Sequence, residues 1–133
     1  MDNHNESKQW LETADSDLTA AKSLLQYMQP ISYEIICFHC QQAVEKYLKW
    51  FLVLQDIEPP KTHDLEELEK QCEAIYPLFF EIYEKCSILS KYAIKTRYPN
   101  EMRVERQDME NALEYAKDVR DFLSEQFPQD FNR

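Results

Sequence analysis

Between Ile35 and Trp50 the chain reads Ile-Ile-Cys-Phe-His-Cys-Gln-Gln-Ala-Val-Glu-Lys-Tyr-Leu-Lys-Trp, with no proline or glycine to interrupt it. The run is too long for a strand, and its apolar positions recur at helical spacing. At 100° per residue Ile36, Cys40, Ala43, Val44, Tyr47 and Phe51 share one arc, which marks the core-facing stripe of a central bundle helix. His39, Gln42, Lys46 and Lys49 fall on a second arc, with Glu45 at its edge.

Similar stripes predict the neighbouring elements. Trp10, Ala14, Leu18, Ala21, Leu24 and Leu25 repeat at three and four residues, giving a first helix over 10–28 that Pro30 ends. Glu12, Asp15 and Asp17 make its opening half acidic, as a helix N-terminus favours. Ser32 is placed to cap the second helix, 32–54, with Ile31 and Ile36 at the positions of a hydrophobic staple. Pro59-Pro60 makes 56–63 an extended crossover. A short third helix begins near Thr62 or Asp64, where Asp64 with Glu67 has capping-box spacing, and continues through Leu65, Leu68, Cys72 and Ile75. Pro77 suits the first position of a fourth helix, carrying Phe80, Tyr83, Leu89, Tyr92 and Ala93 and running to about residue 95. Thr96-Arg97-Tyr98-Pro99-Asn100 breaks the period and reads as a loop. A last helix over 106–126 buries Met109, Ala112, Leu113, Ala116, Val119 and Leu123, and the tail after Pro128 is expected to fray.

Composition narrows the class. With 44% apolar residues, the 133-residue chain has material for one core without staples. There is no glycine at all, which excludes phosphate-cradling Gly-rich loops and disfavours primed hairpin turns. The expectation is an all-α, up-and-down antiparallel bundle of four long helices plus one short helix. A net charge of −10 argues against a broad surface for non-specific nucleic acid, though a local basic pocket is compatible with it. The polar first residues lack the apolar region of a signal peptide, and no run reaches the ~18 apolar residues of a membrane span. A cytoplasmic protein without membrane attachment is the expectation.

Candidate chemistry is sparse. Cys37 and Cys40 have redox-pair spacing but lie inside a helix, and Cys72 and Cys86 have no partner at metal-finger spacing, so buried free thiols and no metal site are expected. On the second arc, His39, Gln42, Lys46 and Lys49 can present an imidazole, an amide and two ammonium groups to one anion. The bland alternative is a solvated face with an i,i+4 pair between Glu45 and Lys49. His63 is suited equally to locking the linker and to touching a ligand. Arg97, following Lys91 and Lys95, can grip a phosphate bidentately or pair with Glu45 or an acid of the first helix. Tyr92 and Tyr98 can stack on a base, although aromatics at helical spacing usually belong to the core.

Trp10, Ala14, Asp17-Leu18, then His39-Cys40-Gln41-Gln42-Ala43-Val44-Glu45-Lys46, then Thr62-His63-Asp64-Leu65, and finally Arg97-Tyr98-Pro99 follow one another in an order that resembles the HEPN domain family. The resemblance treats residues 1–133 as one domain with its core at about 8–126. It implies a helical bundle, commonly a homodimer. It also implies one of three roles: a metal-independent ribonuclease, often a toxin; a non-catalytic partner of a minimal nucleotidyltransferase in a toxin–antitoxin-like pair; or a nucleotide-binding module. The ribonuclease branch carries an Arg-x4-6-His motif, and no histidine follows His63, so Tyr98 and Pro99 align the chain with an Arg-Tyr-Pro branch instead.

Three functions follow as expectations. The first is a dimeric module without catalytic residues or cofactor that holds a nucleotide or other phosphate-bearing ligand through His39, Gln42, Lys46, Lys49, His63, Arg97 and Tyr98. The second is a ribonuclease using substitute residues. The third is a structural adaptor that buries a partner protein.

Overall fold

A computed structural model describes residues 3–93 and 103–132, and among these there is no strand. The elements are α1 (Asn3–Tyr27), α2 (Tyr33–Leu54), α3 (Leu65–Ile75), a 3₁₀ segment η1 (Pro77–Ile82), α4 (Tyr83–Ser90), α5 (Arg106–Gln126) and α6 (Pro128–Phe131). α2 is the axis of the bundle, packing against α1 along its length and against α3, α4 and α5.

The predicted stripe of α2 is fully buried, from Ile36 and Cys40 through Ala43, Val44 and Tyr47 to Phe51. Small buried side chains, Ala14 and Ala21 on α1 and Ala43 on α2, let backbones approach closely. Ser32 caps α2 as expected, its Oγ accepting the Ile35 N–H at 3.3 Å. The other end closes with Asp56 at φ 66°. Ile57 N–H then bonds the Leu52 carbonyl at 2.9 Å and Asp56 N–H the Val53 carbonyl at 3.0 Å. That is the Schellman pattern, built on an aspartate in a chain without glycine.

Three expectations need correction. Asp64 caps α3 by accepting from Glu66 N–H at 2.9 Å, but its own N–H goes to Thr62 Oγ1 at 3.1 Å, so Thr62 takes the part expected of Glu67. The single fourth helix to residue 95 is instead η1 followed by α4, with turn and bend at 91–93. A 3₁₀ turn aligns residues three apart, so Phe79 and Ile82 point inward while Phe80 is 65% exposed. The continuation through Lys95 and the loop at Arg97, Tyr98 and Pro99 lie outside the described residues.

The third correction is the tail. After Phe127, Pro128 restarts a short helix that buries Phe131. Its ring meets Trp50 edge-on at 5.6 Å, while Phe127 contacts Phe51 at 5.1 Å and Tyr76 at 4.8 Å. A hydrophobic plug, not a frayed end, closes this side of the bundle. Truncation after Phe127 is therefore expected to cost roughly 3 kcal/mol in urea denaturation, the low end of the range for deleting a buried phenylalanine; an unchanged midpoint would show the tail to be dispensable.

Candidate functional site

The polar arc of α2 meets α1 through two carboxylates. Asp17 of α1 accepts from Lys46 Nζ at 2.5 Å and lies 3.1 Å from His39 Nδ1. A carboxylate only accepts, so the imidazole proton sits on Nδ1 and Nε2 faces away from Asp17. The Lys46 and His39 side chains keep 21% and 28% exposure, so both remain reachable from solvent.

Glu45 forms the second centre. It accepts from Lys49 Nζ at 3.0 Å and Gln41 Nε2 at 3.4 Å, and His63 Nδ1 lies 2.9 Å away. Lys49 and Glu45 are both buried, and the Lys49 ammonium lies 5.7 Å from the Trp10 ring centroid. Gln42 Nε2 donates to Gln41 Oε1 at 2.7 Å, and Gln41 Nε2 reaches the His63 carbonyl at 3.0 Å, fastening the linker to α2. His63 thus turns toward Glu45 with its own side chain still 68% exposed.

Of the seven predicted site residues, the structure joins His39 to Lys46 on one carboxylate and Lys49 to His63 on another, with Gln42 tied to the second through Gln41. Arg97 and Tyr98 fall outside the described residues. The i,i+4 pair of Glu45 and Lys49 is present, and it places Lys49 inside the protein. Sequence reasoning gives Asp17 no role as a counter-ion. The available signal is its place on α1 beside the buried stripe of Ala14, Leu18 and Ala21, where an acid can meet a cation of the neighbouring helix.

Asp15, two residues earlier, likewise escapes a reading of the sequence. It accepts from Tyr47 Oη at 2.5 Å and Arg120 Nε at 2.9 Å, linking α1, α2 and α5. Burial first, then this bond to Asp15, pushes the Tyr47 hydroxyl up, so it stays a donor. The bond to Asp15 likewise raises Arg120.

Beside His39 runs an apolar groove of about 450 Å³ lined by Ala20, Ser23, Leu24, Tyr27 and Met28. The four cysteines are free and buried. Desolvation pushes the Cys37 thiol up to about 12 and the other three further in the same direction, which leaves negligible thiolate for nucleophilic or metal chemistry. Among the described residues no group of three or more His, Cys, Asp or Glu could hold a metal ion, and no helix is long and apolar enough to cross a membrane.

The HEPN domain profile matches residues 7–126. The chain belongs to the HEPN domain family. The crystal structure of TT1696 from Thermus thermophilus is similar at 28% identity and a TM-score of 0.72, covering 92% of this chain and 99% of that one. ST0689, an archaeal HEPN homologue, shares the fold at 22% identity and a TM-score of 0.68, covering 90% of this chain and 96% of its own. No curated protein matches the chain. The HEPN match takes in α2 to α5 and all of α1 but its first turn, and so includes the site on α1 and α2.

Proposed function

We propose that this HEPN chain is a non-catalytic module that dimerises, holds a nucleotide or another phosphate-bearing ligand, and works beside a minimal nucleotidyltransferase. One observation carries the reading: a solvent-reachable lysine and imidazole are held together on Asp17, and the imidazole lines an apolar groove. An ammonium has three donors and Asp17 engages one, so Lys46 can take a phosphate oxygen without leaving the helix. His39 Nε2 offers a second polar contact and Gln42 an amide for a ribose or base edge. Leu24 and Tyr27, the latter largely exposed, supply a face for the base. Lys49 and His63 act behind this surface by fixing Glu45 and Gln41, while Arg97 and Tyr98 complete the proposed set.

The test is a thermal-shift panel of nucleoside triphosphates at about 1 mM, a concentration at which a binder of ordinary affinity is largely saturated. A rise in Tm that Lys46→Ala abolishes supports the reading. No shift with any nucleotide, at a concentration that saturates weak binders, would overturn it. A structural adaptor is the second reading, favoured by Ile75, Leu78 and Phe80, which expose apolar surface at the corner of α3 and η1. It requires nucleotide-independent co-purification with a partner.

A further inference from the structure

The opposite flank of α1 carries a second polar cleft. Asp17 and Asp15 stand two residues apart, hence on different sides of the helix, and Asp15 turns toward α5. There Leu18, Thr19 and Lys22 of α1 face Lys117 and Arg120 of α5 across a cavity of about 280 Å³.

We infer that this α1–α5 cleft is an anion site for the phosphate group of a small phosphomonoester, distinct from the one on His39 and Lys46. Arg120 is its anchor. Its Nε is held at 2.9 Å by Asp15, which the buried Tyr47 hydroxyl steadies from the core side. Its guanidinium lies 5.1 Å from the Phe131 ring centroid. A guanidinium fixed on an acid and a ring loses little freedom when its terminal N–H groups grip an oxyanion in parallel. The Asp15 charge is already used by Tyr47 and Arg120, so it adds little repulsion.

Two lysines complete the positive wall. Lys22 is exposed and has no ion-pair partner among the described residues. Lys117 reaches Asp121 only at 3.8 Å in an open, solvent-exposed i,i+4 pair that an anion can exchange at little cost. The lining therefore holds three cations and two carboxylates, a local excess of positive charge in a chain of net charge −10. Thr19 adds a hydroxyl, and Leu18 gives the cleft an apolar floor for the ester's short carbon body. The cleft's size suits a small molecule, and the overall negative charge disfavours a polyanion such as RNA, whose other phosphates would meet acidic surface.

The experiment is an amide-resolved NMR titration of the full chain with inorganic phosphate and with glycerol 3-phosphate, up to about 10 mM, where weak anion sites fill. Shifts are expected to cluster at 18–22 and 117–121, with the ester binding more tightly than the inorganic ion. Lys22→Ala removes an exposed side chain that holds no other element, so it should fold normally and weaken binding roughly three- to tenfold. Arg120→Lys keeps charge but loses the fork and should weaken it about tenfold or more. Lys46→Ala should leave these shifts unchanged, which separates this site from the nucleotide reading. Wild-type affinity in Lys22→Ala, or shifts confined to residues around His39 and Lys46, would overturn the assignment.

Discussion

Glu45→Ala is expected to lower the free energy of unfolding by about 3–5 kcal/mol, among the largest losses from any single polar substitution in this chain. The reason is what stays behind. Glu45 is the acceptor for the ammonium of Lys49, the amide of Gln41 and the imidazole of His63. Lys49 itself is only 7% exposed, packed beneath Trp10. Removing the carboxylate leaves an uncompensated buried ammonium, whose desolvation the Trp10 ring offsets only in part. The linker that reaches α3 also loses one of its two ties to α2 at His63, keeping only the Gln41 bond to the His63 carbonyl.

The double variant Glu45→Ala with Lys49→Met checks this mechanism. It removes the stranded charge as well as its partner, so most of the loss should return. Asp17→Ala is the contrast. Lys46 and His39 are part-exposed and can turn to water, so about 1 kcal/mol is expected there. Chemical denaturation followed by circular dichroism measures all three. A Glu45→Ala protein within about 1 kcal/mol of wild type, or no recovery in the double variant, would show that buried charge does not govern this joint.

The contrast between the two carboxylates also explains what the sequence could and could not convey. The stripe from Ile36 to Phe51, the Ser32 cap, the Asp64 cap and the bounds of α5 are local matters of period and capping, and each is legible in a single helix. The arc of His39, Gln42, Lys46 and Lys49 is equally local and equally legible. Its meaning depends on which acids the next helix brings alongside, and that is tertiary. Lys46 and Lys49 are three residues apart on one arc, yet one meets Asp17 at the surface and the other is drawn under Trp10 to Glu45. Periodicity gives an azimuth without saying what stands opposite.

The misses elsewhere share that origin. Pro77 marks a helix start correctly, but nothing local forces a 3₁₀ turn; the demand to bury Phe79 and Ile82 together does. Phe131 reads as a loose tail until Trp50 and Phe127 are seen to offer it a surface. Asp56 takes the left-handed position that glycine would fill in another chain. The Asp15–Tyr47–Arg120 link spans 105 residues, beyond the reach of any spacing argument.

The contribution of Glu69 to stability should fall as pH rises toward and through neutrality. This side chain of α3 is fully buried, and neither carboxylate oxygen has a hydrogen-bond partner among the described residues. Burial, first, and then Glu73 four residues on push its pKa from 4.5 up to about 7, with Lys70 opposing weakly. A protonated Glu69 has a hydrogen to offer Glu73; an ionised one sets two acceptors against each other in a space also faced by Cys72 and Cys86. In the unfolded chain the carboxyl ionises at its ordinary value, so between about pH 4.5 and 7 the native state binds the additional proton. Glu69 therefore contributes fully below that window, and its contribution declines as pH climbs through it. The loss is complete above it, on the order of 3 kcal/mol. Glu69→Gln stays neutral at every pH. It should match or fall below wild type near pH 4.5 and exceed it by about 2 kcal/mol or more near pH 8. Comparing the two proteins at each pH cancels the contributions of all other groups, which are common to both. Urea midpoints across this range decide the matter: a wild-type-to-variant difference that does not change with pH would mean that Glu69 ionises as an ordinary surface acid and that α3 accommodates its charge.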